Sequence, residues 1–466
     1  MLTSDQLVRG MPVQLIDPAT GQPVSYSNSA SALSKAAGAS ICDWQKNGTL
    51  TLSAGTAATA ALDTSVLLFG KPTLKCVFSS AASDTYIATF TLTNPARLKD
   101  IKNIQIPILF TNNASGNGNI GSSSAPFQIW LGTSNSKSIR IQCDFSNLQP
   151  GVWTTLAFSR NAVSVITNAI SELDASGVTV TTVKIVQATN NTAANSYPVW
   201  VGEIIADAKI NKGYVTLVMD GEYSSQYTDL FPLLTTYGLK SSLAITTADI
   251  GGVGRMTLAQ IQEMKNAGHE PISHTYDSSK SGGYGNATDW PTAADITDDL
   301  RSQWAYFDTQ GWDDGIGYGV WGFSYGFVSS NTLARQNLVA SALRAGGMQA
   351  MRKSVPYNGE ATAGCLIPLH KMPVDPFVLS GAIQITSTHS FADVITCIDQ
   401  AEATGSWAII TAHRSVTSSP GSLEMTKANF ETWMSYANGR VNQGTLVVDT
   451  FSKVFNKFFK PEALAA

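Results

Sequence analysis

The sequence predicts two folds in tandem: an all-β unit of jelly-roll sandwich type, then an α/β unit built as a distorted (β/α) barrel. Three observations point there. The 466 residues exceed one ordinary core, since a domain takes about 100–200 residues. Apolar residues alternate with period two between residues 41 and 208, the mark of half-buried strands. From residue 209 onward short apolar runs alternate with helical segments, the grammar of a parallel sheet wrapped by helices.

Residues 1–40 are polar, end in "SNSASALSKAAGAS", and have no room for a core, so they read as an arm or linker. Residues 41–208 carry the strand patterns "TYIATFTLT", "NIQIPILF", "SIRIQCDF", "GVWTTLAFS" and "YPVWVGEII", separated by Gly/Asn/Ser turns, with "NAVSVITNAISEL" as a candidate helix. Trp130, Trp153 and Trp200 fall on alternating positions and are expected to pack in the core, although an exposed Trp would stack on a sugar ring. The string "GNGNIG" at 116–121 matches a dinucleotide fingerprint in form, but no helix follows it.

Residues 209–466 open with the strand "YVTLVMD" and the helix "DLFPLLTTYG". There follow "SSLAIT" with "TLAQIQEMKNAG", "EPISHT" with "TAADITDDLRSQWAYFDTQG", and "GVWGFSYG" with "SNTLARQNLVASALRAGG". "MQAMRKS", "WAIITAH" and "TLVVDTF" supply further strands, with "FADVITCIDQAEATG" and "TKANFETWMSYANG" as helices. Functional residues of such a barrel lie at the C-terminal ends of its strands.

With 43% hydrophobic and 14% charged residues, the surface must be covered largely by Ser, Thr, Asn and Ala. The net charge of −4 and the lack of any Lys/Arg run exclude a nucleic-acid binder. No run of about 18 apolar residues occurs, so membrane insertion is not expected, and the start lacks a basic segment followed by an apolar one, which predicts synthesis in the cytoplasm without a signal peptide. Cys42, Cys76, Cys143, Cys365 and Cys397 are odd in number and widely spaced, which predicts buried free thiols rather than disulfides or a zinc knuckle.

The stretches "GYVTLVMDGEYSSQYTDLFPLLTTYGLKSSLAI" and "MTLAQIQEMKNAGHEPISHTYD" resemble the polysaccharide deacetylases of carbohydrate esterase family four, over residues 212–455. That resemblance implies a distorted (β/α) barrel and a divalent metal such as zinc held by one Asp and two His, with a second Asp as base and a distant His as acid. The family's first motif, T-F-D-D-G, matches without gaps so that Asp220 takes the base position and Gly221 that of the metal-binding Asp. A one-residue shift instead keeps Asp220 and Gly221 as the second Asp and the Gly. The second motif, H-x-x-x-H, retains His274 and has Ser278 in place of the second His. Only a rearranged set such as Asp220, Glu222, His274 and Asp277 would then hold a metal. The third motif is similar to "WGFSYG", with Trp321, Ser324 and Tyr325; the last is similar to "WAIITAHRS", placing His413 on the family's acid and Arg414 beside it. Asp375 is a candidate for the intermediate Asp motif.

The residues themselves allow several chemistries. Asp220 and Glu222, if both face the barrel mouth, would share a proton as acid–base pairs do in glycoside hydrolysis; alternatively Asp220 is a turn former and Glu222 an exposed turn carboxylate. His274 and His413 converge on one mouth. Tyr276, Asp277, Trp321, Tyr325 and Arg414 are candidate substrate-binding residues, and Arg414 suits the carboxylate of an acidic sugar, which is compatible with a polysaccharide lyase. "GFSYG" at 322–326 matches a nucleophile elbow, so a serine esterase using Ser324 with Asp375 and His413 is a further reading. His269, at a predicted helix C-terminus, is expected to be structural, its protonated ring favourable to the helix dipole.

Together these give a carbohydrate-active protein directed at a bacterial capsular or exopolysaccharide, with catalytic candidates Asp220, Glu222, His274 and His413. The site is altered and expected to work without the family's usual metal arrangement. A non-catalytic glycan-binding protein is the rival expectation, with the sandwich as a carbohydrate-binding module. "VQLIDPATGQPVS" resembles connector segments of phage tail and virion proteins, which implies a phage-associated depolymerase or esterase, a virion or extracellular location after release, and a homotrimer.

Overall fold

The computed structural model describes most of residues 39–459; outside the description lie 1–38, 53–57, 79–84, 111–126, 144–152, 160–163, 166–176, 188–197, 207–211, 277–279, 321–332, 353–378, 460–466 and gaps of one or two residues. The described chain forms two compact units, one within Met1–Ile210 and one drawn from Asn211–Asn358 and Pro376–Ala466.

The first unit consists of two antiparallel sheets. One has the order Ala39–Cys42, Ile204–Ala206, Asn103–Phe110, Pro198–Val201, Lys71–Phe78, Ala58–Leu68, with Thr154–Ser159 also paired to Asn103–Phe110. The other runs Ser164–Val165, Lys137–Cys143, Phe127–Ser134, Thr179–Gln187, Thr85–Arg97, Gly48–Leu52. The period-two pattern explains their shared core: Ile104, Ile106 and Ile108 of the first sheet and Ile129, Leu131, Ile139, Ile141, Val183 and Ile185 of the second belong to one buried cluster. Trp130, Trp153 and Trp200 are all buried, as core packing requires. The Trp200 indole N–H donates to Asp63 Oδ2 at 2.8 Å. Of the candidate helix "NAVSVITNAISEL" the described residues are Ser164–Val165, a strand paired with Arg140 and Ile139; the rest lies outside the described residues. The β-branched Val165 favours extended backbone. Cys42, Cys76 and Cys397 are buried free thiols.

The second unit is a parallel sheet with the order Ala350–Arg352, Tyr318–Val320, Glu270–Ser273, Ser241–Ile245, Gly213–Asp220, Trp407–Ala412, Ile383–Gln384, and Leu446–Val448 paired to Gly213–Asp220. Gly213–Asp220 is nearly all apolar because both its faces are covered. Leu379 bridges in parallel to Arg352, while Ile383–Gln384 pairs with Trp407–Ala412, so one short segment touches both edges of the sheet and curls it upon itself. The helices are Leu258–Asn266, Ala293–Gln310, Leu333–Ala345, Phe391–Thr404, Lys427–Asn442 and Phe451–Phe459, with a shorter one at Phe231–Thr236. Thr257, Thr292 and Ser390 open three of them with reciprocal capping boxes to Gln260, Asp295 and Asp393. Gly315 lies against the strand Glu270–Ser273 so closely that a Cβ would stand 1.7 Å from the Pro271 carbonyl oxygen. No described helix is long and apolar enough to cross a membrane.

His269 is structural for a reason other than the expected one. Its ring is buried, Nδ1 lies 2.8 Å from Ser241 Oγ, and burial pushes its pKa down to about 4. The ring is therefore neutral at pH 7 and contributes no charge to the preceding helix end.

Candidate functional site

The parallel sheet brings four polar residues to its strand ends. Asp220 closes Gly213–Asp220, Arg352 closes Ala350–Arg352, His274 follows Glu270–Ser273 and His413 follows Trp407–Ala412. Arg352 Nη2 donates to Asp220 Oδ1 at 2.7 Å and to Oδ2 at 2.5 Å, with both side chains buried. Burial pushes the Asp220 carboxyl upward, but Arg352 first, then His274 and His413, more than offset it and hold the group below 3.8. Asp220 is an ionised, clamped carboxylate.

His413 Nε2 lies 4.0 Å from Asp220 Oδ2. Burial chiefly lowers the imidazole pKa; Asp220 opposes this, and Arg352, Arg414 and Arg255 reinforce it. The ring is neutral at pH 7, and its buried Nδ1 has no hydrogen-bond partner among the described residues. The backbone is fixed by Gln226, whose Nε2 donates to the carbonyls of Asp220 and His413, each at 2.9 Å.

His274 is also buried, which pushes its pKa down to about 4. Its Nδ1 lies 3.3 Å from Thr246 Oγ1, while that hydroxyl donates to the His274 carbonyl at 3.1 Å. A hydroxyl that donates to the carbonyl is free to accept from a protonated Nδ1.

Glu222 departs from the exposed turn carboxylate, since it is fully buried. Gly221 and Glu222 both take positive φ, 82° and 34°, a turn that folds the carboxylate back under the strand end. Glu222 Oε2 accepts from the Thr246 N–H at 2.9 Å, and Oε1 lies 3.5 Å from Arg255 Nη1 with no hydrogen-bond partner among the described residues. Burial pushes its pKa up to about 8, so the group is protonated at pH 7. No hydrogen bond joins it to Asp220 among the described residues, so the structure does not build the shared-proton pair.

Tyr276 is pinned by its backbone: its N–H donates to both Asp299 oxygens, at 3.2 and 3.1 Å, and its carbonyl accepts from Ala248 at 3.2 Å. The side chain stays exposed. Arg414 is half exposed and stacks on Tyr223, as does Arg255, each guanidinium carbon 4.2 Å from the ring centroid. Asp277, Ser278, Trp321, Ser324, Tyr325 and Asp375 lie outside the described residues.

Among the described residues no donor set fits the divalent metal implied by the family resemblance, and Asp277 and Ser278 lie outside them. Gly221 offers no side-chain ligand, and both Asp220 oxygens are engaged by Arg352. Among the described residues no group of three or more His, Cys, Asp or Glu side chains would hold an ion. In this structure Asp220 is engaged by Arg352, in an ion pair buried at the strand ends.

Sequence reasoning missed Arg352 and Gln226. "MQAMRKS" reads as a strand with a basic end, and its partner Asp220 lies 132 positions away. The available signal was Arg352's place at a strand end of a parallel sheet, where buried charge is costly unless paired.

No protein-family model matches the chain. Over 71 residues, 15% of this chain and 25% of the relative, it is 32% identical to YxkH of Bacillus subtilis (strain 168), a protein assigned by name to the polysaccharide deacetylases. The match therefore spans about a quarter of that relative's length. Among solved structures, the family 4 carbohydrate esterase from Streptomyces lividans shares 13% identity over 50% of this chain and 90% of that one, with a TM-score of 0.29. A de-N-acetylase from Aggregatibacter actinomycetemcomitans shares 16% over 39% and 73%, with a TM-score of 0.29. The family 11 carbohydrate-binding module of a Clostridium thermocellum cellulosomal cellulase shares 11% over 38% and 97%, with a TM-score of 0.25. At these scores the structural likenesses transfer no residue role. The chain resembles the polysaccharide deacetylases at low identity and over part of its length.

Proposed function

We propose that this protein is a carbohydrate esterase of deacetylase-like type that removes acyl groups from a polysaccharide at a metal-independent site. The observation that carries this reading is the neutral His413 imidazole held 4.0 Å from the ionised Asp220 at the strand ends. His413 takes a proton from water as the water oxygen attacks the ester carbonyl. The same imidazole returns that proton to the departing sugar oxygen, leaving a carboxylic acid and a free hydroxyl. Asp220, fixed by Arg352, stabilises the imidazolium in between. His274 and the protonated Glu222 are candidates for a supporting role. Tyr276 offers an exposed ring for a sugar face.

The two-sheet unit, as a jelly-roll-type module, would hold the polymer. On this reading the substrate is a bacterial capsular or exopolysaccharide. The phage-associated virion setting and homotrimer rest on "VQLIDPATGQPVS" alone.

The test measures acetate released from O-acetylated polysaccharide with and without a chelator. Chelator-resistant release that falls about 10²–10⁴-fold in His413→Gln is expected; release that requires added metal, or that survives the substitution, overturns the reading. One observation favours a second reading, a non-catalytic glycan binder: Arg352 engages both oxygens of Asp220. Such a protein would retain the polymer while leaving its acetate content and chain length unchanged.

A further inference from the structure

The Tyr223 ring carries two guanidinium groups, and their surroundings differ. Arg255 is 18% exposed and fully engaged: Nη1 donates to the Gly221 carbonyl, Nη2 pairs with Asp249 at 3.1 Å, and Glu222 lies 3.5 Å away. Arg414 is 49% exposed, and its nearest carboxylate oxygen, Glu424 Oε1, stands 3.6 Å off, an ion pair longer than a hydrogen bond. The other oxygen, Glu424 Oε2, accepts from the Gly421 N–H at 2.6 Å and is committed to its own turn. The stem of Arg414 is held as well, because Arg414–Val416 pairs in parallel with Glu424–Thr426. A half-exposed planar cation, held on the Tyr223 face with Glu424 beside it, is pre-organised for a two-oxygen anion that reaches its exposed edge.

Its position gives the anion a purpose. Arg414 follows His413 directly, and Gln226 ties the His413 carbonyl to that of Asp220. Arg352 is paired with Asp220 and Arg255 with Asp249, so Arg414 is the half-exposed guanidinium of the three.

We propose that Arg414, stacked on Tyr223 beside Arg255, is an anion subsite that takes the carboxylate or phosphate of an acidic glycan and places a neighbouring sugar at His413. This rests on the polysaccharide reading above. A uronate and a phosphodiester share the two-oxygen chemistry, so the experiment carries both.

The full chain is run in affinity gels containing a polyuronate, a glycerol-phosphate polymer or dextran, beside Arg414→Gln and Arg414→Lys. The wild type should bind one of the acidic polymers roughly tenfold or more tighter than dextran, and Arg414→Gln should erase that preference. Arg414→Lys, a charge without the fork, should retain part of it, and the preference should shrink between about 0.05 and about 0.5 M salt. Equal binding of acidic and neutral polymers, or a preference unchanged in Arg414→Gln, overturns the subsite. Acetate release from a neutral acetylated glycan, assayed in parallel, keeps the two readings apart. Release without acidic preference sinks the subsite alone; preference lost in Arg414→Gln with no release from any glycan sinks the esterase and leaves the subsite standing.

Discussion

Replacing Arg352 by Met tests whether the strand-end ion pair organises the site. Arg352 is fully buried and Asp220 is 2% exposed, so the substitution leaves a carboxylate with no counterion and little water. Removing one partner of a buried pair costs about 3–5 kcal/mol. For a unit of this size that corresponds to a fall of roughly 6–20 °C in its melting transition. The loss depends on pH, with the sign set by Asp220. In the wild type its carboxyl is held below 3.8, so the stability it contributes is present above 3.8 and is lost as pH falls through the folded value. Without Arg352, burial dominates and lifts the folded value above 3.8, so the variant loses stability as pH rises. The gap between the two proteins should therefore widen from about pH 4 to about pH 7. Asp220→Asn combined with Arg352→Met, which removes both charges, should recover much of the loss. Urea denaturation at the two pH values measures it. A gap under about 1 kcal/mol that does not change with pH would refute the reasoning.

Glu222→Gln should change the pH profile in the opposite direction. The Glu222 carboxyl is raised from 4.5 to about 8, so its stabilising contribution is complete below 4.5 and is lost as pH rises to about 8. The variant should lack that decline, and a parallel decline in both proteins by chemical denaturation would show that Glu222 is not the group concerned. Gly315→Ala should destabilise the parallel-sheet unit by about 1–3 kcal/mol, because its Cβ meets backbone rather than a movable side chain; an unchanged melting temperature would contradict the close approach.

The architecture was legible because periodicity is a local property. The isoleucines at 104, 106 and 108 announce a strand with one buried face, and Thr257, Thr292 and Ser390 announce helix starts through carboxylates or amides three residues on. Asp220, His274 and His413 were readable as strand-end residues for the same reason. Arg352 was not, because what distinguishes it is a partner on a distant strand, and one-dimensional spacing does not encode which strand ends face one another. Whether Glu222 faces the mouth or solvent was left open by the sequence, because "DGEY" specifies a turn but not its direction. Only Thr246 and Arg255, from two later segments, show that it folds inward.

The side-chain amide of Gln226 gives the site a mechanical property. One NH2 group grips the backbone carbonyls of Asp220 and His413, at the ends of two strands that are adjacent in the sheet but far apart in sequence. A displacement of either strand end must drag the other or break a buried bond. The two residues therefore behave as a single rigid tool. The spacing of carboxylate and imidazole is thus set within the sheet, by one buried amide, and does not depend on what the flanking segments carry.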